Sequence, residues 1–135
     1  MKTTTRGYAY IGKVTPGDMN WTVEVENPHG IKDLLLPRND VRNHSPDGFT
    51  WGYGGSGPAQ LALAMLLHYF EIVAGMRPQA ARVMAERYYQ DFKFGTIARL
   101  DKDTDFRIEA QQIADAIAAL AHKKSAAAME VSARG

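Results

Sequence analysis

Trp51-Gly52-Tyr53-Gly54-Gly55-Ser56-Gly57-Pro58 divides the chain into two kinds of pattern. Before it, apolar residues recur at every second position, and after it they recur at helical spacing. The four glycines between Gly52 and Gly57 forgo side chains, allow positive φ and let main-chain N–H groups come close to a ligand or to a neighbouring element. Pro58 suits the first helical position, where its missing N–H has no partner to lose, with Gly57 or Ser56 as the cap. With Gly57 as the cap, Gln60 falls at the third helical position, from which its amide can reach back to the cap N–H.

Upstream the chain reads as strands. Gly7 to Val14 is rich in β-formers and ends at the turn signal Thr15-Pro16-Gly17-Asp18. Trp21, Val23 and Val25 alternate with Thr22, Glu24 and Glu26, the period of a strand with one wet face. Asn27-Pro28-His29-Gly30 makes a turn, Ile31 to Leu36 is a short apolar run stopped by Pro37, and Asn39 to Gly48 has the composition of a loop. Phe49, Trp51 and Tyr53 predict a brief strand that runs into the glycines.

Downstream, Ala59 to Ala74 is apolar almost all round, broken by Gln60, His68 and Glu71 on one face, as befits the central helix of a small core. Its length approaches a bilayer span, but those three polar groups argue against one. Gly75 and Arg77-Pro78 close it, and a second helix runs from Gln79 through Val83, Tyr88 and Phe92 toward Leu100, with Gly95 a point that can bend or end it. Asp101 to Asp105 is a charged turn. Phe106, Ala110, Ile113, Ala114, Ile117 and Leu120 form the stripe of a last helix, starting between Asp105 and Glu109. Strands first and helices second predict an α+β fold, a small N-terminal antiparallel sheet of about three or four strands against about three C-terminal helices. Residues 1–122 form one domain, and the small, unpatterned residues 123–135 a flexible tail.

Composition narrows the function. The chain has 135 residues, 16 Lys and Arg against 15 Asp and Glu, and no cysteine. That length suits one ordinary core. Both charge signs are spread evenly, so neither a basic stripe for nucleic acid nor an acidic mimic of one stands out. Disulfides, thiolate metal sites and a cysteine nucleophile are excluded. Met1 to Gly12 carries no apolar run that could act as a secretory segment, so a cytoplasmic address is expected.

Gly52, Gly54 and Gly57 satisfy G-x-G-x-x-G, but a dinucleotide unit needs a second parallel strand bearing an acid, and here Glu71 lies inside the helix. Pro58 and Ala59 stand where a P-loop needs Lys and Ser or Thr. Another anion could still bind the N–H groups and dipole of the helix start, with Gly52, Gly54, Gly55, Ser56, Gly57 and Gln60 as its contacts. The same glycines could instead serve only a tight corner packed under Trp51 and Tyr53. Ser56 with His44 and Asp47 offers a remote hydrolase set, though Ser56 reads better as a cap. His68 and Glu71 supply two potential metal ligands, too few for a site, so no metal and no cofactor are expected. Trp51, Tyr53 and Tyr89 are the aromatic candidates for contact with a partner.

The block NHSPDGFTWGYGGSGPAQLALA, Asn43 to Ala64, resembles the hallmark of an uncharacterised domain family of small proteins met in bacteria, their phages and other mobile elements. The likeness extends more loosely through Tyr89-Gln90-Asp91-Phe92-Lys93 and the final helix, to about Leu120. Glu109 stands where the family leads one to expect a serine or threonine cap, which bears only on where that helix starts. The resemblance supplies no chemistry; it implies an accessory, cytoplasmic product of mobile DNA. The expected function is a non-enzymatic accessory protein that binds another macromolecule, most of all a protein, for which inhibition of a host defence system is a fitting role. The alternative is a binding module for a phosphorylated or nucleotide-like ligand at the glycine loop. Neither nucleic acid nor membrane is an expected partner.

Overall fold

Period-two alternation upstream of the glycines forms strands β1 (Ala9–Thr15), β2 (Asn20–Glu26) and β3 (Lys32–Leu34). The computed structural model describes residues 7–15, 17, 20–46 and 48–134. The polar start Lys2 to Arg6, the turn residues Pro16 and Asp18, and Asp47 lie outside them. A fourth strand, β4 (Phe106–Glu109), lies far along the chain and completes an antiparallel sheet in the order β3-β2-β1-β4. Its register sets Tyr10 opposite Val25 on one side and opposite Ile108 on the other. Tyr10, Val23, Val25 and Ile108 face the helices and are buried. The opposite face is wet and carries the ion pairs Lys13–Glu24, Arg107–Glu26 and Arg107–Glu109, as a one-sided antiparallel sheet should.

Helix α1 (Ser56–His68) is the hub, with every residue from Gly57 to Leu67 buried. It passes into one π-helical turn, Tyr69–Val73, marked by a bond from the Ala74 N–H back to the Tyr69 carbonyl. Helix α2 (Pro78–Gly95) packs on α1, and a 3₁₀ turn at Ile97–Arg99 leads through the Asp101 to Asp105 turn into β4. Helix α3 (Ala110–Arg134) follows directly. The fold is α+β, a four-stranded antiparallel sheet with three helices in the C-terminal part. No described helix is long and apolar enough to cross a membrane.

Three boundaries differ from the pattern reading. Phe49 to Tyr53 is not a strand: β1 is already flanked by β2 and β4, and the positive φ of Gly52 turns the backbone so that its N–H meets the Ile97 carbonyl instead. Phe106 to Glu109 is a strand rather than the opening of a helix. Phe106 covers Gly12 on β1, where no side chain would fit, and stands edge-on to Trp51 at 4.7 Å. The last helix therefore begins at Ala110, and Gln112 accepts a bond from the Glu109 N–H at 2.7 Å. Finally, α3 does not stop at His122 but continues helical to Arg134, because His122 to Arg134 contains no glycine or proline to end it.

Candidate binding site

The glycine corner is filled by its own chain. Gly55 is the cap of α1, with Ser56 and Gly57 inside the helix and Pro58 its third residue, two positions later than the spacing suggested. Gly52 has φ +89, and a β-carbon there would lie 2.6 Å from the Lys102 backbone. At Gly57 a β-carbon would collide with the Thr50 hydroxyl and approach its backbone. Those two contacts account for two of the glycines without a ligand. Trp51 is buried, its indole N–H bonded to the Thr104 carbonyl at 2.8 Å, so it staples the corner to the turn before β4.

Gln60 does not reach back to the cap. It is fully buried and spends its amide on the preceding loop: its oxygen accepts from the His44 and Ser45 N–H groups at 2.7 and 3.1 Å, and its nitrogen donates to the Pro37 and Arg42 carbonyls at 2.6 and 3.0 Å. All four bonding directions of the amide are used, so none is left for a ligand. Tyr89 is buried as well, its hydroxyl 2.7 Å from His44 Nε2. His44 is thereby held against α2, with no hydrogen bond to Ser56 among the described residues, and Asp47 is outside them. Of the aromatic candidates Tyr53 alone is exposed. It stands at the glycine corner together with Phe94, and Lys93 lies 3.4 Å from the Gly54 carbonyl and 3.9 Å above the Phe94 ring.

A concavity lined by both polar and apolar side chains lies elsewhere, between β3 and the end of α1. It is a groove of about 410 Å³. One wall is Ile31, Asp33 and Leu35, with Leu34 at the rim; the other is Ala64 and His68 of α1 with Glu71 and Ile72 of the π turn. Arg38 closes one end. Its φ of +57 is unusual for a side-chain-bearing residue, and the strained backbone is held by ion pairs to Asp40 at 3.1 Å and Glu71 at 3.4 Å.

His68 forms part of the floor. The Tyr10 hydroxyl lies 2.7 Å from its Nδ1 and has no other hydrogen-bond partner among the described residues, so the phenol donates and the ring proton sits on Nε2. Burial lowers the His68 pKa, against an opposing pull from the Glu71 carboxylate. Burial, reinforced by Tyr69 and Tyr8, raises that of Tyr10, which keeps the donor protonated. Glu71 is engaged by Arg38 and His68 by Tyr10, so the two potential ligands point to separate partners, and no cluster of three or more metal-binding side chains occurs among the described residues.

Four large apolar side chains stand bare on the rim: Ile31 is 59% exposed, Leu34 66%, Leu36 68% and Ile72 52%. None was singled out by motif. The available signal was the run Leu34-Leu35-Leu36 before Pro37, since alternation allows only one of two neighbouring leucines to face the core, and Leu35 takes that place. A second concavity, wider at about 950 Å³, opens near Tyr69 and Glu109. Its Arg107 is already neutralised by Glu26 and Glu109.

No curated protein and no solved structure matches the chain. A family model does, over residues 10–119, from β1 into α3. Because that span covers most of the chain, the glycine corner and both walls of the groove included, the chain belongs to the family of unknown function DUF6166.

Proposed function

We propose that this is a small non-enzymatic accessory protein of bacteria or mobile elements, acting in the cytoplasm by binding a protein partner at the groove beside β3. The observation that carries this reading is the cluster of four bare apolar side chains, Ile31, Leu34, Leu36 and Ile72, around one cavity. Contiguous apolar surface of this kind on a small soluble protein marks an interaction site. Inhibition of a host defence system is a role such a binder could fill in a mobile-element setting. The polar groups at the groove support binding rather than catalysis, since His68 is tied to Tyr10 and Glu71 to Arg38. The test is affinity capture with the wild-type protein and with Leu34→Glu/Leu36→Glu. The partner should be lost in the double variant, whose melting temperature should hold because both side chains are exposed; an unchanged partner set would sink the reading.

A phosphorylated or nucleotide-like ligand at the glycine corner is the second reading. It is favoured by Lys93, only 6% exposed and without an ion-pair partner among the described residues, beside the start of α1. A rise in melting temperature with phosphate or nucleotides that disappears in Lys93→Met would support it, and no rise across the panel would remove it.

A further inference from the structure

We infer that the groove takes an extended segment of the partner as a fifth strand added to β3, a proposal that rests on the protein-binding reading above. The register of the sheet decides which main-chain groups are free. Asp33 pairs with Val25, the Leu35 N–H donates to the Val23 carbonyl at 2.8 Å, and the Asn27 N–H donates to the Ile31 carbonyl at 2.8 Å. Alternation therefore turns the N–H and C=O groups of Ile31, Asp33 and Leu35 toward β2, and those of Lys32 and Leu34 outward. The outward groups have no hydrogen-bond partner among the described residues, and β3 is exposed along its whole length. An unpaired edge of this kind is a template for another strand.

The groove supplies side-chain recognition next to that template. With Ala64, His68, Glu71 and Ile72 as the facing wall, every second side chain of an added strand enters the cavity, while the others lie over Leu34 on the outer face. Charge selects the occupant. Asp33 lines the groove with no ion pair among the described residues, whereas Glu71 is engaged by Arg38. The segment that fits carries a Lys or Arg facing Asp33, with apolar side chains two residues to either side. A second copy of this chain fits less well, because symmetric pairing about the middle of β3 sets Asp33 against Asp33, and like charges directly opposite are destabilising.

The test is a selection of random peptides displayed against the purified protein and against Asp33→Lys, followed by amide hydrogen exchange with the selected peptides. Wild-type protein should enrich alternating apolar sequences around a Lys or Arg, and their binding should slow exchange at the Lys32 and Leu34 amides about tenfold or more. Asp33→Lys should enrich Asp or Glu at the same position. Peptides with helical spacing, peptides that leave those two amides unprotected, or no enrichment at all would overturn strand addition. A partner captured through Leu34 and Leu36 that leaves the same amides exchanging freely would overturn strand addition alone, while capture indifferent to Leu34 and Leu36 would overturn the reading beneath it.

Discussion

A β-carbon at Gly52 would meet the Lys102 backbone and one at Gly57 the Thr50 hydroxyl, with the Thr50 backbone close behind, whereas at Gly54 and Gly55 it would meet only the exposed rings of Phe94 and Tyr53. The four glycines, equivalent in the sequence, are therefore unequal in the fold. Gly57→Ala should cost about 1–3 kcal/mol through overpacking against Thr50, and Gly52→Ala should cost more because its positive φ adds backbone strain. Gly54→Ala and Gly55→Ala should stay within about 1 kcal/mol of wild type. Denaturant melts of the four variants check this ranking, and equal losses at all four would show that the corner is not held as described. Sequence reading could find the corner but not divide its glycines, because Lys102 reaches Gly52 from a turn fifty positions away. Gln60 teaches the same lesson: its spacing suggested a local cap, yet its partners lie on a loop upstream.

At the scale of elements, Trp21 to Glu26 and the apolar run Ala59 to Ala74 were legible because each buries one consistent face or all faces. Phe106 to Glu109 was misread because its apolar residues also fit the helical stripe that follows, and only pairing with β1 decides between them. The π turn was invisible for a related reason. It changes the hydrogen-bond pattern, not the composition; His68, which meets Tyr10, stands just before it, and Glu71, which pairs with Arg38, lies within it. That junction makes stability depend on pH. Burial holds the folded-state His68 pKa below its ordinary value of 6.5, so the unfolded chain binds that proton first as the pH falls. The contribution is fully present above the unfolded value and is lost as the pH drops below it toward the lower folded value. Between about pH 7.5 and about pH 5.5, the melting temperature of wild type should fall more steeply than that of His68→Gln. Parallel curves would mean that the ring does not resist protonation in the fold.

For the molecule as a whole, the sequence conveys a sheet, a buried hub helix and a single core, but not where the core ends along α3. Ile113 is buried and Ile117 and Leu120 pack on the core, whereas Lys123 to Met129 are exposed. The helix continues to Arg134 past its last buried positions, since apolar periodicity reports burial, whereas Ala-rich sequence without glycine or proline keeps a helix going beyond them. The overhang touches the body through Lys124, which lies 3.3 Å from Asp91 and 5.9 Å from the Tyr88 ring centre. An exposed ion pair of that kind contributes about 0–1 kcal/mol. Ending the chain after His122 should therefore reduce helical content by circular dichroism while lowering stability by no more than about 1 kcal/mol. It should also leave capture of the partner intact, because the groove lies between β3 and α1, and no described side chain of α3 lines it. A truncated protein that melts far earlier would mean that the overhang stabilises the core, and one that keeps its fold but loses the partner would place recognition on α3 instead of on the β3 edge.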